Sequence, residues 1–204
     1  MNEFSDILIK IQKSEYLSRE DLKFAYNFIL DGKANDIEIE DFLIGLNNKG
    51  ITIDDIICGV EVLREKSFKV EVPVDAIDTC GTGGDNSGTF NISTAVTFVA
   101  AGAGAIVAKH GNRALSSKSG SSQVLEELGI NINIKPNKIS DCINKSNVGF
   151  MFAPNHHSAM KYVGPIRQKL KVRTIFNLLG PLINPGSCLL YTSPSPRDRT
   201  RSRM

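Results

Sequence analysis

Asp78-Thr79-Cys80-Gly81-Thr82-Gly83-Gly84-Asp85 opens a stretch that continues through Asn91-Ile92-Ser93-Thr94, Lys109-His110-Gly111-Asn112-Arg113 and Ser116-Ser117-Lys118-Ser119-Gly120-Ser121. Eight of the chain's 17 glycines lie between residues 78 and 121, little more than a fifth of its 204 residues. Glycine lets backbone N–H groups come close to a ligand and tolerates positive φ. Interleaved hydroxyls and amides supply short-reach hydrogen bonds, and Lys and Arg supply charge. The mixture suits a phosphorylated small molecule with several anionic oxygens.

The flanking pattern sets the fold class. Val72–Asp78 reads as a strand entering the first glycine-rich turn, and Ser93–Ala101 as a helix of small and apolar residues. Ala105–Ala108 reads as a second short strand leading into the second polar loop. Beyond it come a helix over Ser122–Leu128, a strand over Ile130–Ile134 and a helix over Ser140–Lys145. A strand over Val148–Phe152 and a helix over about Ser158–Leu170 complete the alternation. Strands alternating with helices predict an α/β unit with a mainly parallel sheet and ligand loops at the strands' carboxyl ends.

Upstream, residues 3–66 read as short helices. Ser18 with Asp21 forms a capping box ahead of Leu22, Ala25, Tyr26 and Ile29 at helical spacing, and Gly32 ends that run. A second helix covers about 37–48, burying Phe42, Leu43 and Leu46, with Gly50 as its stop. A third starts at Thr52, again with an acid three residues on. These residues suggest packing or dimerisation rather than chemistry. The expected organisation is a helical domain over 1–70, an α/β part over 71–186 and a tail over 187–204.

Composition excludes several classes. The formal net charge is +2, but four arginines against one aspartate give residues 187–204 a charge of +3 and leave the preceding body at −1. That body has no global attraction for nucleic acid. No apolar run approaches the roughly 18 residues of a membrane span. The start of the chain lacks a basic region and cleavage site, so the cytoplasm is the expected location. Cys58, Cys80, Cys142 and Cys188 are scattered and read as reduced thiols. Cys80 lies in the glycine-rich loop, yet no paired base supports it as a nucleophile. Residues 187–204 read either as a basic tail or, better, as foreign translated sequence joined to an interrupted frame, and they are left out of the fold reading.

The first loop must reverse before the helix near Ser93, whose free first-turn N–H groups and dipole form an anion site. Asn91 reads as N-cap or ligand donor. The pattern lacks the Gly-Lys-Ser/Thr of a Walker loop and the third glycine of the dinucleotide fingerprint. In the second loop, Lys109 and Arg113 flank His110-Gly111-Asn112, with serines following. Two anion sites on adjacent strands predict one ligand carrying phosphate groups at both ends.

These motifs, together with Arg173-Thr174-Ile175-Phe176-Asn177-Leu178-Leu179-Gly180-Pro181-Leu182 and Asn184-Pro185, resemble the anthranilate phosphoribosyltransferase family of tryptophan biosynthesis, in order and at its spacing over about residues 1–186. The resemblance implies transfer of phosphoribose from phosphoribosyl pyrophosphate to the amine of anthranilate. It implies a nucleoside phosphorylase/phosphoribosyltransferase-like fold and a homodimer through the helical domain. It assigns phosphoribosyl pyrophosphate to Gly81, Gly84, Asp85, Thr89, Asn91, Ile92, Ser93, Thr94, Lys109, His110, Gly111, Asn112, Arg113, Ala114, Leu115, Ser116, Ser117 and Ser121. Gly81, Asn112 and Arg167 match anthranilate contacts, and Ser93 matches a ligand of Mg2+. His110 is a base or a polar wall, and His156 and His157 are weaker pocket-lining candidates.

The chain departs from the family in one respect. The family's magnesium-binding Asp-Glu pair lies beyond Pro185, and no Asp-Glu dipeptide occurs in this chain. The expectation is a retained part of the phosphate cradle with little or no turnover. Three rival readings are a pyrimidine nucleoside phosphorylase, against which Lys109–Arg113 speaks, a nucleic-acid-binding relative, against which the body charge speaks, and a non-functional fragment from a broken reading frame.

Overall fold

The structure, a computed structural model, describes residues 3–81, 90–113 and 120–188. Four helices come first: α1 (Glu3–Gln12), α2 (Arg19–Leu30), α3 (Asp36–Lys49) and α4 (Ile53–Glu65). Their starts are set locally. Ser18 Oγ accepts the Asp21 N–H at 3.1 Å, while the Asp21 carboxylate accepts the Ser18 N–H at 3.2 Å. Asn35 with Glu38 and Thr52 with Asp55 repeat this reciprocal pairing, which satisfies donors that a helix start leaves open. Gly50 ends α3 at φ 89°, a conformation L side chains rarely adopt.

The bundle is not closed by these four helices alone. After a single-turn α8 (Ala153–His156), α9 (Gly164–Leu170) and α10 (Phe176–Leu179) return to it, and Val163, Ile166, Ile175, Phe176, Leu179 and Ile183 share one core with Phe4, Tyr26, Phe42 and Leu46. Tyr26 sits edge-on to both Phe42 and Phe176, at ring separations of 5.6 and 6.3 Å, and its hydroxyl donates to the Asp55 carbonyl at 3.0 Å. Asn47 donates to the Arg173 carbonyl at 2.6 Å and Arg64 to that of Leu182 at 2.8 Å, pinning the returning segment to α3 and α4. Each fully buried large apolar side chain here contributes about 1.5–3 kcal/mol.

The sheet is parallel. β1 (Val107–Gly111) pairs with β2 (Val148–Phe152) from Val107 opposite Val148 to Gly111 opposite Phe152. The crossover between them carries α6 (Ser121–Glu127) and α7 (Pro136–Ser146). Ile77 forms a parallel bridge to Val107 on the other side of β1, so β1 lies between Ile77 and β2. α7 contributes Ile139 and Ile143 to the layer under Ala108 and Met151. α5 (Ile92–Gly102) packs near β1 and buries Thr94 and Thr97, while Ile92, Val96, Phe98 and Val99 face outward.

Five expected elements differ, the helix over Ser140–Lys145 by starting four residues earlier, at Pro136. The strand over Val72–Asp78 shrinks to the Ile77 bridge, because Pro73 has no N–H to give and its carbonyl closes a turn onto Ala76 N–H at 3.0 Å. The strand over Ile130–Ile134 is absent. Asn131 Oδ1 captures the Asn133 N–H at 2.9 Å, an alternative to ladder pairing, and Ile132 is buried with Leu125 and Phe152 instead. The second strand begins two residues later than expected and runs on through Lys109, His110 and Gly111. There Phe150 covers Gly111, where a Cβ would meet its ring at 2.8 Å. The helix over about Ser158–Leu170 splits into a 3-10 turn (Ser158–Lys161) and α9, with Gly164-Pro165 at the restart. Among the described residues no helix is long and apolar enough to cross a membrane.

Candidate functional site

Because Ile77 and β1 run parallel, the chain leaves both at one end of the sheet, and polar side chains meet there. Asp78, one residue past the bridge, is buried and accepts three hydrogen bonds. Its Oδ1 takes the N–H of Cys80 at 2.9 Å and of His110 at 3.2 Å, and its Oδ2 takes Asn184 Nδ2 at 2.8 Å. Asn184 also donates to the Ala108 carbonyl at 2.9 Å. One carboxylate therefore joins the first loop, β1 and the segment after α10. Desolvation raises its pKa, against the pull of Asn184, Lys109 and the two N–H donors.

Beside it, Thr79 Oγ1 lies 3.0 Å from the Ser93 carbonyl, 2.8 Å from Thr97 Oγ1 and 3.2 Å from Lys109 Nζ. Lys109 Nζ also lies 3.4 Å from Ser93 Oγ. The lysine is only 2% exposed, and burial lowers its pKa. Its hydrogen-bond partners among the described residues are hydroxyls, with no carboxylate at ion-pair distance. The Asp78 carboxylate, beyond ion-pair distance, offsets that burial only in part; a buried charge so weakly paired is expensive, so this ammonium is suited to an anion arriving from outside. Ser93 stands in the first turn of α5, where backbone N–H groups add to the same attraction. Thr94 Oγ1 donates to Ser121 Oγ at 3.0 Å and links that turn to α6.

The three histidines form a buried group nearby. The rings of His110 and His157 meet edge-on at 5.1 Å, and His156 Nδ1 lies 2.9 Å from the Phe68 carbonyl. The remaining ring nitrogens have no partner at full hydrogen-bond geometry among the described residues. Burial, chiefly, pushes His110 down to about 4 and His157 to about 3, although the Gly180 and Ile183 backbones favour their charged forms. An imidazole this reluctant to accept a proton is a weak general base and forms a polar wall. Burial likewise pushes the Cys80 thiol up to about 11, which leaves it protonated and unreactive at neutral pH.

These histidines make stability pH-dependent. Unfolding returns each to an ordinary value near 6.5, so below that value the unfolded chain binds more protons than the folded one. Stability is therefore complete above about pH 7 and falls as pH drops toward the folded values, by about 1.4 kcal/mol per pH unit for each histidine. Asp78, with its raised pKa, acts in the opposite sense near the acidic end. Urea midpoints measured from pH 7.5 to 4.5 should drop, and His157→Gln should flatten the slope by about one proton. A flat wild-type profile would contradict the burial of neutral imidazoles.

The remaining expected residues divide clearly. Gly81 is exposed with open space around it, and Ile92 is exposed at the start of α5. Asn91 occupies the N-cap of α5 without a side-chain capping bond. Asn112 Oδ1 accepts the Arg113 N–H at 2.7 Å, and Arg113 pairs with Glu126 at 2.8 Å over the Phe152 ring. Arg167 lies over Phe176 at 5.8 Å, where desolvation lowers its pKa. Among the described residues no hydrogen bond or ion pair joins Asn112, Arg113 or Arg167 to the Thr79–Ser93–Lys109 group. Gly84, Asp85, Thr89, Ala114, Leu115, Ser116 and Ser117 lie outside the described residues. Sequence reading gave no role to Asp78, Thr97 or Asn184. Thr97 could have been found one helical turn after Ser93; nothing in the sequence marks Asn184 as a partner of Asp78.

Among the described residues no three His, Cys, Asp or Glu side chains gather as a metal site. Ser93 offers one neutral oxygen. Mg2+ usually keeps several waters and binds substrate phosphates together with one or two carboxylates, or with a Ser/Thr hydroxyl and a carboxylate. Ser93 fits such an ion when it arrives on a diphosphate, and not as a resident metal held by protein alone.

Comparison with known proteins adds the lineage. Residues 5–67 match the helical bundle domain of the glycosyl transferase family and residues 73–190 its a/b domain. Anthranilate phosphoribosyltransferases from Xanthobacter autotrophicus and Rhizobium etli are 50% and 51% identical over 186 residues, 91% of this chain, and 54% and 55% of theirs. The chain thus spans about half the length of the curated relatives it matches. Among solved structures, the Thermus thermophilus enzyme superposes with a TM-score of 0.83 at 37% identity, covering 94% of this chain and 59% of that one. The Saccharomyces cerevisiae enzyme, in complex with PRPP and Mg, gives 0.81 at 29% identity, covering 89% and 55%. With a helical bundle and an a/b unit in the same order and both domain models matched, the chain belongs to the glycosyl transferase family.

Proposed function

We propose that this chain carries the phosphoribosyl pyrophosphate site of an anthranilate phosphoribosyltransferase. The observation that supports it is Lys109, a buried ammonium held by hydroxyls and facing the first turn of α5 with no carboxylate partner among the described residues. The relatives bear the corresponding name, and the yeast structure holds PRPP and Mg. In this reading Gly81, Gly84, Asp85, Thr89, Asn91–Thr94, Lys109–Ser117 and Ser121 surround the phosphorylated sugar. Gly81, Asn112 and Arg167 receive anthranilate, where a guanidinium pairs well with a carboxylate. The protein is proposed to act as a cytoplasmic homodimer through its helical domain, whose exposed Ile37 and Ile53 support such a contact.

The reaction forms a bond from the anthranilate nitrogen to the anomeric carbon and breaks that carbon's bond to pyrophosphate. The amine then sheds its proton to solvent. The aromatic amine is neutral at pH 7, so attack needs no strong base, in keeping with His110 as a wall. Lys109 and the α5 first-turn N–H groups stabilise the charge that grows on the departing diphosphate. Magnesium, when bound, neutralises part of that charge, with Ser93 as its protein oxygen.

Calorimetric titration with inorganic pyrophosphate in magnesium buffer tests the reading. Lys109→Met should weaken binding about 10–100-fold, the scale of one charge-assisted hydrogen bond. Equal affinity in the two proteins, with matching circular dichroism, would defeat the proposal.

A further inference from the structure

We infer that Thr79 is a positioning residue: its hydroxyl sets the Lys109 ammonium against the first turn of α5, an inference that rests on the anion-site reading above. A threonine hydroxyl has one hydrogen to give and two lone pairs to receive with, whereas an ammonium can only donate. Toward Lys109, 3.2 Å away, Thr79 must therefore accept. Its single proton goes to the Ser93 carbonyl at 3.0 Å or to Thr97 Oγ1 at 2.8 Å. Thr97 itself donates to the Ser93 carbonyl at 2.9 Å, so both routes end on the same oxygen. The polarity of the relay is thereby set from Lys109 on β1, through Thr79 on the first loop, to Ser93 on α5.

The relay aims the lysine. The contact from Nζ to Ser93 Oγ is the longer of its two, at 3.4 Å, so Thr79 is its nearer anchor. With two donors directed at hydroxyls, the third has no partner among the described residues and is available to an anion. Valine at position 79 keeps the branched shape but places a methyl where the ammonium found its acceptor. The lysine then turns away from the α5 terminus, although the surrounding packing is retained.

The test compares Thr79→Val, Thr79→Ser, Lys109→Met and the double variant Thr79→Val/Lys109→Met in the 204-residue chain, by calorimetry with inorganic pyrophosphate in magnesium buffer. Thr79→Val should weaken binding about 10-fold, and Thr79→Ser, which restores the hydroxyl, should stay within about 3-fold of wild type. In the Lys109→Met background, Thr79→Val should add less than about 2-fold, since coupled neighbours are not additive. Thr79→Ala replaces the valine variant if the latter does not fold. Wild-type affinity in Thr79→Val, no rescue by serine, or an undiminished loss in the Lys109→Met background would each overturn the inference. Absence of pyrophosphate binding by the wild type would instead remove the anion-site reading itself, and the inference with it.

Discussion

Phe42→Ala lowers the free energy of unfolding by about 3–5 kcal/mol, the range for truncating a fully buried phenylalanine. Phe42 is fully buried at the centre of the helical core, with Phe4 at 6.2 Å and Tyr26 edge-on at 5.6 Å. Its neighbours belong to a closed aromatic and aliphatic cluster that cannot collapse fully into the space, so lost transfer energy and a residual cavity add together. A domain of ordinary stability has about 5–15 kcal/mol in total, so this single change approaches the point of unfolding. Tyr16→Ala, at a side chain 76% exposed, should shift stability by less than about 0.5 kcal/mol and serves as the control. Urea titration decides: a loss below about 1 kcal/mol for Phe42→Ala would mean that the bundle core is not packed as described. The effect should extend to the anion site. The core that holds Phe42 also holds Leu179 and Ile183, and Asn184, the next residue, holds Asp78.

Asp78→Ala costs about 3–5 kcal/mol, the scale on which removing one member of a buried charged network destabilises a protein. The Cys80 and His110 N–H groups and the Asn184 amide lose their common acceptor together, and each stranded donor is penalised by about 1–3 kcal/mol, not additively. Lys109 also loses the negative charge that partly offsets its burial. Asp78→Asn should cost less, about 1–2 kcal/mol. Its amide oxygen still accepts the two backbone donors, but its NH2 group faces the NH2 of Asn184. Thermal or urea unfolding ranks the variants; the ordering alanine worse than asparagine worse than wild type is the required outcome. Equal stability of the alanine variant and wild type would show that Asp78 does not join the three segments.

Much of the fold was legible because its causes are local. The Ser18/Asp21 and Thr52/Asp55 boxes, the 3.6-residue spacing of Leu22, Ala25, Tyr26 and Ile29, and the glycine stop at Gly50 act within a few residues of themselves. The strand at Val148–Phe152 was equally plain. Reading failed where a side chain competed with the ladder. Asn131 and Pro73 each removed a strand that apolar alternation had suggested. It failed also where a partner extended an element, as β2 extended β1 through Lys109 and Gly111. Of the candidate site, Ser93 and Lys109 were visible as residue types beside glycine-rich turns. Their support by Asp78, Thr97 and Asn184 was not, since Asn184 lies 106 residues from Asp78.

The amino-acid order alone determined the capped helix starts at Ser18 and Thr52, a helical run followed by an α/β unit, and the abundance of anion-binding groups between residues 78 and 121, because propensity, capping and periodicity are short-range effects. Tertiary structure alone decided that residues 163–183 complete the helical core and that Lys109 is buried without a carboxylate beside it among the described residues. The reason is physical: burial and pairing depend on which distant segments fold against one another, and desolvation does not exist until they do.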